Sequence, residues 1–187
     1  DADAELLVNA PHIPVHLGSL GICARLVLEK LELRPGDVII TNHPKYGGSH
    51  LPDVTLVAPV YDGDSLQAFV ANRAHHADVG GEAPGSMPAH ATEVTQEGIV
   101  VSPMPAVRDG DFLDGFLTPF LQATRTPGER RGDLSAQLGA NQVAVQRITE
   151  LVGDDVEAFV GMSGAILSYG ERRMRAAIGA LDCGTFE

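Results

Sequence analysis

The chain is poor in basic residues, and this bounds its partners first. Lys and Arg number 13 against 25 Asp and Glu, a formal charge of −12. Phosphate backbones are bound by clustered cations, so a nucleic-acid surface is excluded. The basic cluster at Arg125, Arg130 and Arg131, with Arg172, Arg173 and Arg175 further on, is interleaved with helix formers and reads as solvated helix faces or a subunit contact. Cysteine is also scarce. Cys23 and Cys183 lie far apart, outside any CxxC pair, as expected of a reduced, cytoplasmic protein without a structural disulfide. No apolar run reaches the ~18 residues of a membrane span, and no signal peptide is visible. Neither GxxxxGK nor GxGxxG occurs, so nothing in the chain reads as an ATP site. Internal repeats and low-complexity tracts are missing too. The chain begins at Asp1 rather than Met, as a fragment or processed piece would.

What is present is a chain of 187 residues, 44% hydrophobic, enough for one packed domain or two small ones. The segment Asn42 to Gly81 holds four of the seven histidines, His43, His50, His75 and His76, together with Asp53 and Asp78. Between its polar ends, Val54–Tyr61 and Leu66–Asn72 read as two strands around Asp62-Gly63-Asp64, a turn signal. Paired positions in an antiparallel hairpin sum to a constant, here near 126 to 128. Asp53 then faces residues 73 to 75, and His50 faces residue 76 or just beyond. Opposed Cβ atoms are ~5 Å apart, so Asp53 and either His75 or His76 fall within ligand distance. A one-residue slip exchanges the two histidines, which point to opposite faces of a strand.

The rest reads as α+β: short strands and a hairpin core followed by long C-terminal helices. Ala4–Val8 is extended. Pro11 and Pro14 place His12 and His16 on an extended or turn segment. Gly18–Leu33 has helical spacing, Asp37–Thr41 is a buried strand, and residues 44–48 form a loop. Gly80–Ala91 is irregular, Gly98–Ser102 is strand-like, and Pro103–Gly110 is a turn-rich linker. Phe112–Thr124 is helical with a break at Pro119. Glu129–Val152 and a segment from Asp154 to about Leu181 are two longer helices.

Two imidazoles and a carboxylate suit a divalent ion that keeps open positions. The ordinary alternative is that these side chains are polar caps at strand ends. His12 and His16 are candidates for substrate contact or structural hydrogen bonds. Glu93 or Glu97 could serve as a base, or simply sit in a solvated loop with Ser86, Thr92 and Gln96. Cys23 reads as core.

The segments APHIPVHLGSLG, TNHPKYGGSHLPDVTLVAPV, FVANRAHHADVGGEAPGSMP, ATEVTQEGIVVSP and YGERRMRAAIGAL resemble the hydantoinase B/oxoprolinase family along nearly the whole chain. The resemblance implies an N-terminal portion (1–187) of a longer family domain, lacking the family's first strand, any upstream carboxylate ligand before Asp1, and a large C-terminal region. It implies a metal held by His50, Asp53 and, from spacing, His75. The ion would be Zn, Mn or Fe. The family has an acidic residue where His43 stands, so no role passes to His43.

An A-type ATP-binding subunit or domain would bind ATP and phosphorylate a small cyclic amide (a hydantoin, 5-oxoproline or a lactam). The B-type chain would then hydrolyse the ring with a metal-activated water, acting as a C–N hydrolase within a hetero-oligomer. His76 and Glu97 are the candidate proton movers, and His12, His16, Asn72 and Arg73 the candidate substrate contacts. Two other readings accompany this one: a carboxylase α-type subunit acting on a ketone, and a non-catalytic fragment that only packs against a partner.

Overall fold

A computed structural model describes residues 1–10, 13–153, 155–181 and 184. Its elements are α1 (Pro14–Leu28), β1 (Val38–Thr41), a 3-10 turn (Pro44–Tyr46), β2 (Asp53–Asp62), β3 (Ser65–His75), a 3-10 turn (Pro84–Ser86), α2 (Val94–Glu97), β4 (Met104–Arg108), β5 (Asp111–Phe112), α3 (Asp114–Ala123), α4 (Pro127–Val152) and α5 (Val156–Gly179). The five strands form one sheet in the order β3-β2-β1-β4-β5, every neighbouring pair antiparallel. The α+β class and the long C-terminal helices are as expected. His12, Asp154 and Cys183 lie outside the described residues.

The β2–β3 hairpin is the longest pairing. It runs from Asp53↔His75 to Val60↔Ala68 at a constant sum, then shifts by one residue before Asp62↔Ser65. Gly63, with φ 54°, is the first central residue of the two-residue turn, where a left-handed conformation favours glycine. Alternation along the strands sorts the side chains onto two faces. Ile40, Val54, Leu56 and Ala58 meet Phe116, Phe120, Leu134 and Leu138 of α3 and α4 in the main core. Ile39 packs on the other face with Cys23 and Val27 of α1. The sheet is therefore sandwiched between α1 and the α3–α4 pair, and Asp53, Thr55, Arg73 and His75 share the α1 side.

Several elements differ from the sequence reading. Pro14 starts α1 rather than excluding it, since a first-turn proline forgoes an N–H that has no helical partner. His16 consequently sits on the first turn of a helix, not on an extended segment. The helix stops at Leu28, short of Leu33. Leu31 and Leu33 both pack on the Cys23–Val27–Ile39 cluster, which two residues spaced by two can do only from an extended chain.

Gly98–Ser102 forms no strand. Its polar backbone groups go instead to the side chain and N–H of Asn42, to Thr41 Oγ1 and to Val79 O. The strand falls in the supposed linker, as β4, where Pro105 is tolerated because the β1–β4 register shifts beside its partner Ile39. Pro119 does not break α3, which continues through it to Ala123.

Candidate active site

The turn carrying His50 and Asp53 is built by backbone bonds. Asp53 N donates to His50 O (2.8 Å), and His76 N donates to Pro52 O (2.8 Å), tying the turn to the end of β3. Asn42, 1% exposed, holds it from below. The Asn42 amide donates to Leu51 O and Ile99 O (2.9 Å each), and its oxygen accepts from Val101 N (2.7 Å). Gly48 allows the chain to cross this floor: a Cβ there would stand 2.5 Å from Asn42 O. Sequence reasoning missed Asn42. Its one visible signal is a polar residue directly after a β-branched buried run, where a satisfied side chain is expected.

On this platform the structure joins His50, Asp53, His75 and His16. Asp53 and His75 are direct cross-strand partners. The His50 and His75 rings have centroids 5.4 Å apart, tilted by 41°. His50 is half-buried, with Nε2 3.4 Å from Ser86 O, and His75 is exposed. The Asp53 carboxylate is 6% exposed as a residue. Its Oδ2 accepts from Ser49 Oγ (2.9 Å), and its Oδ1 lies 3.9 Å from His16 Nε2. Arg73 reaches across the same face: Nε donates to Thr55 Oγ1 (2.8 Å), Nη1 to Ser19 Oγ (2.8 Å) and Nη2 to Gly47 O (2.9 Å).

His76 is not brought to this rim. It leaves the strand toward the opposite face, is 1% exposed, and packs edge-on against Phe120. Its Nε2 lies 2.7 Å from Gln137 Oε1. The Gln137 amide nitrogen already donates to Val54 O (3.0 Å) and Asn72 Oδ1 (2.9 Å), so its oxygen must accept from His76 Nε2–H. Asn72, also on the opposite face, donates to Gln137 O and Asn141 Oδ1 (2.8 Å each). Burial lowers the His76 pKa, with the Gln137 hydrogen bond opposing. The ring is held neutral in a structural amide network, its Nδ1 without a partner among the described residues.

Glu97 ends α2, half-buried, and its backbone packs so closely on Gly81 that a Cβ at Gly81 would stand 2.5 Å from Glu97 O. Among the described residues no hydrogen bond or ion pair engages its carboxylate. Glu93 and Gln96 form a capping box instead.

An apolar cavity of about 790 Å³ lies along the β3 edge of the sheet, between α1 and the residues of α4 and α5. It is lined by residues 4–10, Leu20, Phe69, Phe159 and Met162, with His16, Asn72 and Arg73 among its polar lining. Three of the four residues read as substrate contacts thus border one space.

In donor type, two imidazoles and a carboxylate on one rim fit a divalent metal. As the side chains stand, however, no three His, Cys, Asp or Glu among the described residues converge closely enough to hold an ion. Asp53 is turned toward Ser49 and His16 instead. No described helix is long and apolar enough to cross a membrane.

Sheet, hairpin and rim define an α+β protein that presents imidazole and carboxylate groups from the paired ends of two strands. The chain belongs to the hydantoinase B/oxoprolinase family, whose sequence profile matches residues 1–187. It is 43% identical over 164 residues to 5-oxoprolinase 1 of Arabidopsis thaliana, covering 80% of this chain and 13% of that protein. It is 30% identical over 180 residues to the caprolactamase beta subunit of Pseudomonas jessenii, covering 93% and 30%.

The crystal structure of the ATP-dependent caprolactamase from P. jessenii superposes with a TM-score of 0.88 at 29% identity, over 96% of this chain and 32% of that one. A nucleotide-free acetone carboxylase structure superposes with a TM-score of 0.77 at 18% identity, over 83% and 21%, a likeness of fold alone. The chain thus spans between about an eighth and a third of the length of these relatives.

Proposed function

We propose that this chain is the B-type part of an ATP-dependent cyclic-amide hydrolase and carries part of the centre where the ring is opened. The observation that carries the reading is the pairing of Asp53 with His75, with the His50 ring 5.4 Å from that of His75, on the exposed side of the hairpin end. The relatives named for hydrolysis of 5-oxoproline and caprolactam support the substrate class. His50, Asp53 and His75 would hold a divalent ion, Zn, Mn or Fe. When bound it supplies Lewis-acid polarisation of the amide group and a lowered pKa for water.

An amide carbon is a poor electrophile, and phosphorylation of its oxygen by an A-type ATP-binding subunit or domain makes it imidate-like. Water adds to that carbon, the C–N bond breaks as the departing ring nitrogen takes a proton, and a second water hydrolyses the resulting acyl phosphate to the carboxylate and inorganic phosphate. Glu97 fits the proton role better than His76, because its carboxylate is unengaged while the His76 ring is buried on the far face. His76 contributes through its backbone N–H, which holds Pro52 O and so the His50–Asp53 turn. His16, Ser49 and Arg73 support Asp53 from the α1 side, and the adjoining cavity offers room for the body of a cyclic amide.

The test combines the protein with its A-type component. Asp53→Ala should abolish both metal content and ring opening while nucleotide hydrolysis by the A-type component remains measurable. Full ring opening by Asp53→Ala would overturn the reading.

A further inference from the structure

We propose that Arg73 is a positioning residue that fixes the tautomer of His16, so that the ring turns an Nε2–H toward the Asp53 carboxylate. His16 stands between two opposite charges. Arg73 Nη1 is 3.5 Å from its Nδ1, and Asp53 Oδ1 is 3.9 Å from its Nε2. A guanidinium can only donate, and a carboxylate can only accept. The nitrogen facing Arg73 must therefore be bare, and the one facing Asp53 must carry the hydrogen. Both distances are long for hydrogen bonds, so it is chiefly the field across the ring that selects the tautomer.

The guanidinium is well placed to exert this field because it is anchored independently. Thr55 and Gly47 hold Nε and Nη2, and Ser19, one turn along α1 from His16, holds Nη1. Thr55 and Arg73 are themselves cross-strand partners, one pair along from Val54 and Ala74 and two from Asp53 and His75. The cation is thus fixed by the same hairpin that fixes the carboxylate.

Asp53 then has its Oδ2 hydrogen-bonded by the Ser49 hydroxyl at 2.9 Å and its Oδ1 facing the His16 N–H across 3.9 Å. Carboxylates that ligate metals are oriented by such outer partners, whose loss lowers metal affinity by roughly 10- to 100-fold. This consequence rests on Asp53 being a ligand, as proposed above. The tautomer does not.

The experiment is a long-range proton–nitrogen correlation spectrum of the uniformly 15N-labelled, metal-free chain at about pH 8.5, where an ordinary imidazole is neutral. His16→Gln identifies the His16 signals by their loss. The expected result is a single Nε2–H tautomer for His16, changing to a mixture of both tautomers in Arg73→Met and staying single in Arg73→Lys, which keeps the cation. A mixture or an Nδ1–H form in the unmutated chain overturns the proposal without any variant, so it remains testable even if Arg73→Met does not fold. A single tautomer persisting in a folded Arg73→Met also overturns it. Zinc titration of the same samples reads the consequence: roughly 10- to 100-fold weaker binding in Arg73→Met than in the unmutated chain. If no sample binds metal, the metal reading fails while the tautomer result still decides the role of Arg73.

Discussion

Asn42→Ala isolates the support beneath the His50–Asp53 turn. The substitution removes one side chain that serves three backbone groups, Leu51 O, Ile99 O and Val101 N, at 2.7–2.9 Å. Asn42, Leu51 and Val101 are all buried and Ile99 is partly so, which leaves these groups little access to water. Each buried group left unsatisfied costs about 1–3 kcal/mol. Carbonyls tolerate this better than the amide, which places the sum near 3–6 kcal/mol. That is a large part of the ~5–15 kcal/mol typical of a domain.

Urea unfolding followed by circular dichroism should therefore show a large fall in midpoint with an unchanged slope. Native-state hydrogen exchange should show the Val101 amide losing protection. Asn42→Asp keeps an acceptor for Val101 but turns a second oxygen toward two carbonyls, so it should be at least as destabilised as the alanine variant. A loss below about 1 kcal/mol in Asn42→Ala would refute the reasoning, because water would then be replacing the amide at little cost.

Other perturbations follow from separate contacts. Gly48→Ala places a Cβ 2.5 Å from Asn42 O and should cost about 1–3 kcal/mol by overpacking, read as a lower melting temperature. Arg125 joins Asp78 (2.7 Å) and Gly81 O (2.7 Å), fastening the loop after β3 to the α3–α4 junction. Because that side chain is 41% exposed, Arg125→Ala should lower stability by only about 1–2 kcal/mol, and Arg125→Lys, a single point charge, should recover less than half.

Burial raises the Cys23 thiol pKa, with Arg73 opposing. The unfolded thiol ionises first, so stability is intact below about pH 8.5 and falls as pH rises beyond it, by up to about 1.4 kcal/mol per pH unit. In Cys23→Ala the stability measured from pH 7 to 10 should decline less steeply; equal slopes would mean that the buried thiol does not contribute.

The hairpin was legible because it obeys a local rule. A glycine-containing turn and two alternating runs set a sum of positions near 126 to 128, which brings Asp53 opposite residues 73 to 75; the structure fixes the sum at 128 and so pairs Asp53 with His75. Chain direction brings the two ends together, while the parity that separates His75 from His76 depends on the exact register of the turn. The start of α1 was misread because proline was treated only as a helix breaker, when its position in the helix decides its effect. The exchange of Gly98–Ser102 for Met104–Arg108 as strand was not legible. It depends on the Asn42 side chain, more than 55 positions away, taking backbone groups that a strand partner would otherwise take. Tertiary competition for hydrogen bonds leaves no periodic mark in the sequence.

The candidate site separates along the same line. Which residues share a face follows from alternation; what each side chain does there follows from its neighbours on other elements. His75 and His76 are adjacent and chemically identical. Yet one is exposed beside His50, and the other donates to Gln137, a residue 61 positions away on α4. Arg73, read from sequence as a substrate contact, has its donors committed to Thr55, Ser19 and Gly47. The role proposed for that guanidinium is exerted through His16 on Asp53. The rim is thus held from two directions, by amide groups under the turn and by a fixed cation across the sheet, with the His50 and His75 rings side by side above it.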